Sequence, residues 1–224
     1  MVSMSFIREN TRSKLEKASY PYLLHLPDFI SPTVLTWGNL LFSIIAGVAF
    51  AFQYFTLALI LLTSAFLCDS LDGMVARVRN KSSVSGYYLD SGVDRLGEAV
   101  WLYGLFVSGV FPQNAVFLLA VSAFLINYFR VQQARVFRVH DPGLMEKGER
   151  NIYFGFLTLG LSVSINIQAL TLSLWFVCIL SIATTLQLFR RGVILTRNSG
   201  TDVTQIIDTQ DLLEESPDRI LGGT

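Results

Sequence analysis

Long apolar stretches separated by short polar turns run through most of this chain. Leu, Ile, Phe, Val and Ala dominate each stretch, and each is close to the roughly 20 residues that an α-helix needs to cross the hydrocarbon core of a bilayer. The pattern predicts an all-α integral membrane protein with six transmembrane helices. The predicted spans are residues 33–52, 56–78, 86–111, 115–136, 148–165 and 169–194.

Both ends of the chain differ from this apolar centre. In residues 1–30, basic side chains are interleaved with Leu, Ile and Tyr. This predicts an amphipathic helix that lies on an anionic membrane surface, with a frayed polar tail as the alternative. Residues 198–224 are polar and acidic and predict a flexible cytoplasmic tail. The transmembrane domain is expected between them, over residues 31–197.

Charge supports a membrane location and predicts an orientation. Charged residues make up 15% of the 224 residues, whereas soluble domains average about 25%. The formal net charge is zero and gives no indication of a nucleic-acid partner. Basic residues crowd the N-terminal segment, two alternate turns and the region after the last span, and the other three turns are uncharged. The positive-inside rule then predicts a multi-pass cell-membrane protein with both termini in the cytoplasm.

Four aspartates interrupt the apolar pattern at the predicted cytoplasmic end. Asp69 and Asp72 are three residues apart, and Asp90 and Asp94 are four apart, so each pair shares one face of a helix. Two helices that face each other would gather all four carboxylates around one point. Such a cluster repels itself unless a cation joins it, and hard oxygen ligands suit magnesium, calcium or manganese.

These aspartates belong to a longer pattern of eight fixed positions within 26 residues. It reads Asp69-x2-Asp72-Gly73-x2-Ala76-Arg77-x8-Gly86-x3-Asp90-x3-Asp94. In every position it resembles the signature of the CDP-alcohol phosphotransferase (phosphatidyltransferase) family. The resemblance implies a phospholipid-biosynthesis enzyme that transfers a phosphoalcohol group from a CDP-linked lipid to an acceptor hydroxyl and releases CMP. It also implies two Mg²⁺ ions per active site, with Mn²⁺ as an alternative, and a homodimer.

The same resemblance assigns roles to the motif residues. Asp69, Asp72 and Asp90 are implied metal ligands, and Asp94 is an implied ligand of the second ion and the candidate general base. A base is useful because a sugar-type hydroxyl is a poor nucleophile until its proton is taken. The implied nucleotide-binding residues, some of which share the metal role, are Thr36, Asp69, Gly73, Ala76, Arg77 and Gly86.

Four arginines are candidates for binding a phosphate on the acceptor. They lie at predicted cytoplasmic helix ends, where they would converge beside the aspartates: Arg130, Arg150, Arg190 and Arg191. The segments NYFR and MEKGER resemble those of the phosphatidylinositol-phosphate and archaetidylinositol-phosphate synthases, which implies inositol phosphate as the acceptor. Glycerol 3-phosphate or another alcohol is the alternative, and the arginines could also be ordinary membrane anchors.

Two other classes of protein compete with the enzyme. A cation transporter would use the aspartates to bind a permeating ion, but it would place them near the middle of the membrane beside discontinuous helices. A catalytically inactive scaffold would not need an intact motif. The sequence therefore favours the enzyme.

Overall fold

The computed structural model describes residue 27, residues 31–137, residue 145 and residues 147–199. Six α-helices occupy this part of the chain, and each overlaps one of the six predicted helices. The predicted surface helix falls almost entirely outside the described residues, and the acidic tail beyond Ser199 does so completely. The helices are α1 (Pro32–Ala51), α2 (Phe55–Val78), α3 (Val84–Ser108), α4 (Gln113–Phe137), α5 (Lys147–Ser162) and α6 (Ile167–Ser199).

Local capping explains where α3 differs from its predicted bounds. The Ser83 hydroxyl accepts a hydrogen bond from the Gly86 amide at 3.0 Å, so the helix begins at Val84, two residues before the predicted start. At the other end, Gly109 has a φ of 66°, a left-handed conformation that ends the helix at Ser108. Gly86 therefore lies in the first turn of α3, with the paired aspartates in the turns that follow.

Four of the six helices are long and apolar enough to cross a membrane. They are Pro32–Ala51, Phe55–Val78, Gln113–Phe137 and Ile167–Arg197. α3 differs because it carries Asp90, Asp94, Arg95 and Glu98. α5 has only 16 residues, which span about 24 Å. The apolar helices support a membrane protein, whereas the count of six spans stays a prediction.

α1 packs against both α2 and α3, α2 also packs against α5, and α4 packs against α6. Buried aromatic and aliphatic side chains fill the bundle between these helices. Trp101 of α3 meets Phe154 of α5 edge to face, with ring centroids 4.5 Å apart. This core holds the helices that carry the aspartates.

Small residues bring α1 and α3 into backbone contact. A Cβ atom at Gly104 would overlap the backbone of Gly47, and a Cβ atom at Gly97 would lie 2.9 Å from the Ser43 hydroxyl. Helices approach this closely in membranes where both contribute small residues. The contact fixes the register of the two helices and places Asn39 of α1 against Asp94 of α3.

Candidate active site

The motif aspartates of α2 and α3 meet at one end of the bundle. Each of Asp69, Asp90 and Asp94 offers a carboxylate oxygen, and these three oxygens all lie within 4.8 Å of one another. A divalent cation bound to oxygens at roughly 2.0–2.6 Å can touch three atoms at this spacing. Asp90 Oδ1 is buried and accepts no hydrogen bond from any described residue. A buried oxygen in this state is costly unless a cation or donor meets it, so the donor set fits a hard divalent cation.

Asp72 lies beside this cluster and is held by neutral donors. The Thr36 hydroxyl is 2.9 Å from Asp72 Oδ2 and 3.0 Å from the carbonyl oxygen of Pro32, so its single hydrogen is shared between the two. The Gly73 amide donates to Asp72 Oδ1 at 2.6 Å. The sequence analysis named Thr36 only as a nucleotide-binding residue; the structure shows that its hydroxyl contacts Asp72 and also bonds back to its own helix.

Asn39 is a further donor that the sequence analysis did not identify. Its Nδ2 atom donates to Asp94 Oδ1 at 3.2 Å, and its Oδ1 atom accepts from the Ser43 hydroxyl at 3.3 Å. The side chain is buried, with 5% of the residue surface exposed. The signal available in the sequence was a polar amide inside an apolar predicted span, three residues after Thr36.

Lys147 is the other residue that sequence reasoning missed. Its ammonium nitrogen lies 2.9 Å from Asp69 Oδ1 and is also hydrogen-bonded to Asp94 Oδ2. It begins α5, whereas the fifth predicted span starts one residue later and leaves Lys147 in the preceding loop. The bridge links α2, α3 and α5 through one positive charge at the centre of the carboxylate cluster.

A cleft of about 440 Å³ opens next to the aspartates. Its walls come from the start of α1, the end of α2 and the start of α3, together with the turn between α2 and α3. Five of the six predicted nucleotide-binding residues line it: Thr36, Gly73, Ala76, Arg77 and Gly86. Asp69 instead lines a smaller neighbouring cavity that also contains Asn39, Asp94 and Lys147.

The predicted acceptor arginines occupy different environments. Arg150 of α5 is 1% exposed and pairs with Glu98 of α3 through Nη2–Oε1 at 2.9 Å and Nε–Oε1 at 3.3 Å. Arg95 donates to the other oxygen of Glu98 at 2.9 Å, so the Glu98 carboxylate is shared between two arginines.

The other three arginines lie on the helix pair α4 and α6. Arg130 is partly exposed in the second-last turn of α4, Arg190 is exposed and Arg191 is partly exposed toward the end of α6. Their helices pack against each other. The predicted acceptor site therefore divides into one buried arginine beside α3 and three more accessible ones on α4 and α6.

The fold and the site define the class of this chain, a helical membrane protein with a carboxylate cluster beside a polar cleft at one end of its bundle. Within that class, a model of the CDP-alcohol phosphatidyltransferase family matches residues 29–187. The chain belongs to this family. It is therefore a CDP-alcohol phosphotransferase, which confirms the enzyme class predicted from the motif and sets the transporter aside.

Two curated relatives of similar sequence are archaetidylinositol phosphate synthases. The chain is 31% identical to the archaetidylinositol phosphate synthase of Pyrococcus horikoshii over 147 residues, which cover 65% of this chain and 78% of the relative. It is 33% identical over 96 residues to the archaetidylinositol phosphate synthase of Aeropyrum pernix, and this match covers 42% of this chain and 49% of that relative.

Solved structures share the fold. The phosphatidylinositol phosphate synthase of Mycobacterium tuberculosis with CDP-DAG bound superposes with a TM-score of 0.65 at 23% identity, covering 79% of this chain and 92% of that one. The same protein in complex with manganese and citrate gives a TM-score of 0.66 at 21% identity, covering 78% and 87%. At these identities the likeness establishes the fold.

Proposed function

We propose that this enzyme transfers a phosphatidyl or archaetidyl group from a CDP-linked lipid to a hydroxyl of inositol phosphate and releases CMP. The observation that carries the proposal is the convergence of Asp69, Asp90 and Asp94 beside a cleft lined by the rest of the motif. The acceptor is inferred from the relatives, which are named for inositol phosphate products. Both chain types of the donor fit, because a generic apolar surface accepts ester-linked and ether-linked tails alike.

Asp69, Asp72, Asp90 and Asp94 are proposed to hold divalent cations, with two Mg²⁺ ions per site and Mn²⁺ as an alternative. The buried, unbonded oxygen of Asp90 supports this assignment, as does the all-oxygen donor set. When bound, such ions neutralise the pyrophosphate and the charge that develops on the transferring group. The residues of the chain then position the two substrates against each other.

Asp94 is proposed as the general base. The acceptor oxygen forms a bond to the phosphorus that carries the lipid alcohol, and its proton passes to the Asp94 carboxylate. The bond from that phosphorus to the bridging oxygen breaks, and the electron pair leaves with CMP. Asn39 holds Asp94 Oδ1 at 3.2 Å, which fixes the orientation of the carboxylate for this transfer.

The cleft is proposed to hold the cytidine diphosphate. Gly73 and Gly86 leave the backbone accessible on its walls, and Arg77 supplies a guanidinium that suits a phosphate. Thr36 holds Asp72 at the edge of the same cleft. Donor and carboxylates therefore meet along the line where α1, α2 and α3 come together.

The acceptor phosphate is proposed to bind the arginines at the same end of the bundle. Arg190 is exposed and Arg191 is partly exposed, so both can reach a solvated anion. Arg130 is partly exposed, with its Nε and Nη2 atoms buried, and would meet the anion at the edge of the helix pair. Arg150 is buried against Glu98, yet its Nη1 atom has no hydrogen-bond partner among the described residues and keeps a donor for the ligand. Bidentate guanidinium contacts would select a phosphorylated alcohol over a neutral one.

The membrane topology, the domain bounds and the oligomeric state are also proposed. Six spans with both termini in the cytoplasm would place the carboxylates at the cytoplasmic surface. Residues 31–197 would form the catalytic domain, between a surface helix over 1–30 and a tail over 198–224. A homodimer is expected from the family resemblance.

Release of CMP by the purified protein tests the proposal. The assay supplies a CDP-lipid and Mg²⁺ and compares inositol 1-phosphate, glycerol 3-phosphate, serine and free inositol as acceptors. We expect release with inositol 1-phosphate that is lost in Asp94→Asn. CMP release with glycerol 3-phosphate alone would identify glycerol 3-phosphate as the acceptor instead. CMP release only with free inositol would contradict the phosphate-binding role proposed for the arginines.

A further inference from the structure

We propose that Lys147 is a built-in counter-cation: it neutralises the carboxylate cluster when no divalent ion is bound, and it competes with that ion for Asp69 and Asp94. The inference rests on the metal site of the proposed function. It assigns a role to a residue outside the family motif, on a helix distant in sequence from the aspartates.

The geometry of the bridge is specific to the cluster. Lys147 Nζ contacts one oxygen of Asp69 on α2 and one of Asp94 on α3, so a single ammonium group joins two helices. The side chain is 27% exposed, and those of Asp69 and Asp94 are 21% and 10% exposed. The partly sheltered setting makes each ion pair stronger than one at an open surface.

Electrostatics explains why the cluster needs this charge. Three carboxylates whose oxygens lie within 4.8 Å of one another repel strongly when ionised. Asp72 and Asp94 have neutral donors from α1, but a neutral donor does not cancel a charge. An ammonium group among the carboxylates lowers the repulsion and keeps α2, α3 and α5 together.

The same position makes Lys147 a competitor of a divalent cation. An ion bound to Asp69 and Asp94 would lie about 2.0–2.6 Å from their oxygens, while the ammonium nitrogen lies 2.9 Å from Asp69 Oδ1. Two cations this close repel each other, so the ion must displace the lysine. Asp90 differs, because its Oδ1 accepts no hydrogen bond from the described residues and is available to an ion from the start.

Direct binding of Mn²⁺ tests the competition. Free Mn²⁺ is measured by electron paramagnetic resonance during titration of the purified full-length protein and its variants. Lys147→Met should bind Mn²⁺ more tightly than the parent protein, by about fivefold or more for the loss of two ion pairs. Lys147→Arg keeps the charge and should stay near the parent value. Arg197→Met removes an exposed charge from the last turn of α6 and controls for net charge.

Thermal unfolding provides a second measurement that does not depend on activity. In EDTA, Lys147→Met should unfold at a lower temperature than the parent protein, because its carboxylates have lost their counter-cation. Mn²⁺ should raise the unfolding temperature of this variant more than that of the parent. If Lys147→Met folds only in the presence of Mn²⁺, its unfolding on addition of EDTA supports the proposal in the same way as a lowered unfolding temperature.

Mn²⁺ binding by Lys147→Met that is equal to or weaker than binding by the parent would overturn the competition. An unchanged unfolding temperature in EDTA would overturn the role as counter-cation. Failure of the parent protein itself to bind Mn²⁺ would overturn the metal site on which both rest. That result is distinguishable from the first two, in which the parent binds the ion.

Discussion

The contact between α1 and α3 gives a prediction that can be worked out from distances. Gly104→Ala places a methyl group where the two backbones touch. Its Cβ atom would lie 2.6 Å from the carbonyl carbon of Gly47 and 2.7 Å from its Cα atom. Ordinary van der Waals contact starts at 3.4 Å. The carbonyl oxygen of Gly47 lies closer to the Cβ atom than either carbon, so the helices must separate by more than about 0.8 Å, a gap that weakens the dispersion contacts along the whole interface.

The expected cost follows from two opposing effects. Overpacking of a tight interface costs about 1–3 kcal/mol, and the upper part of this range applies because the methyl group meets rigid backbone. Replacing Gly by Ala inside a helix returns about 1 kcal/mol. The net loss of stability is therefore about 2 kcal/mol, which lowers the unfolding temperature of a domain of this size by roughly 4–8 °C.

Thermal unfolding in detergent, followed by circular dichroism, measures this shift. Gly92→Ala is the matched control, because it lies on the same helix and a Cβ atom there meets no atom of the described residues within 4 Å. It should leave the unfolding temperature unchanged or raise it. CMP release should fall on the order of tenfold in Gly104→Ala, since the separation pulls Asn39 away from Asp94 and misplacement of about 1 Å is costly in catalysis.

Equal unfolding temperatures for Gly104→Ala and Gly92→Ala would refute this reasoning. They would mean that the bundle absorbs the methyl group without separating α1 from α3.

Three further predictions concern single contacts. Thr36→Val removes the hydroxyl that donates to Asp72 and should reduce CMP release about tenfold, the value of a hydrogen bond to a charged group. Glu98→Gln leaves the buried guanidinium of Arg150 uncompensated and should destabilise the protein by about 3 kcal/mol, measured by thermal unfolding. Deletion of residues 201–224 should leave CMP release unchanged.

A different result would contradict each of these three predictions. Thr36→Ser keeps the donor, so a loss of activity as large as that of Thr36→Val would point to packing. The double variant Glu98→Gln/Arg150→Gln removes both charges and should recover stability; if it is worse than Glu98→Gln alone, the ion pair is not the cause. A large loss of activity after the deletion would give the tail a part in catalysis.

The sequence predicted the helices and the convergence of the aspartates because both depend on local periodicity. Apolar runs of about 20 residues mark membrane helices, and a spacing of three or four residues places side chains on one face. The motif then lies on two consecutive helices joined by a short turn. Asp69, Asp90 and Asp94 meet as that arrangement requires, whereas Asp72, which was expected with them, stays outside this group of three.

Contacts between distant segments could not be derived in this way. Asn39 is 55 residues from Asp94, and Lys147 is 78 residues from Asp69. Both contacts depend on how α1 and α5 pack against the motif helices, and no periodicity in the sequence reports that packing. The burial of Arg150 has the same origin, since its positive charge was evident but its partner Glu98 lies 52 residues away.

Two ion pairs join α3 and α5, Lys147 with Asp94 and Arg150 with Glu98, and they differ in how far they are buried. Asp94 and Glu98 are four residues apart on α3, and Lys147 and Arg150 are three apart on α5, so each helix presents its pair on one face. Arg150 and Glu98 are 1% and 6% exposed, and opening that pair would leave the buried Arg150 guanidinium uncompensated. Lys147 is 27% exposed, so its ammonium group can move to water once a divalent cation neutralises the carboxylates. The buried pair therefore fixes α5 in register with α3, and the partly sheltered pair of Lys147 and Asp94 is the one that a divalent cation can replace.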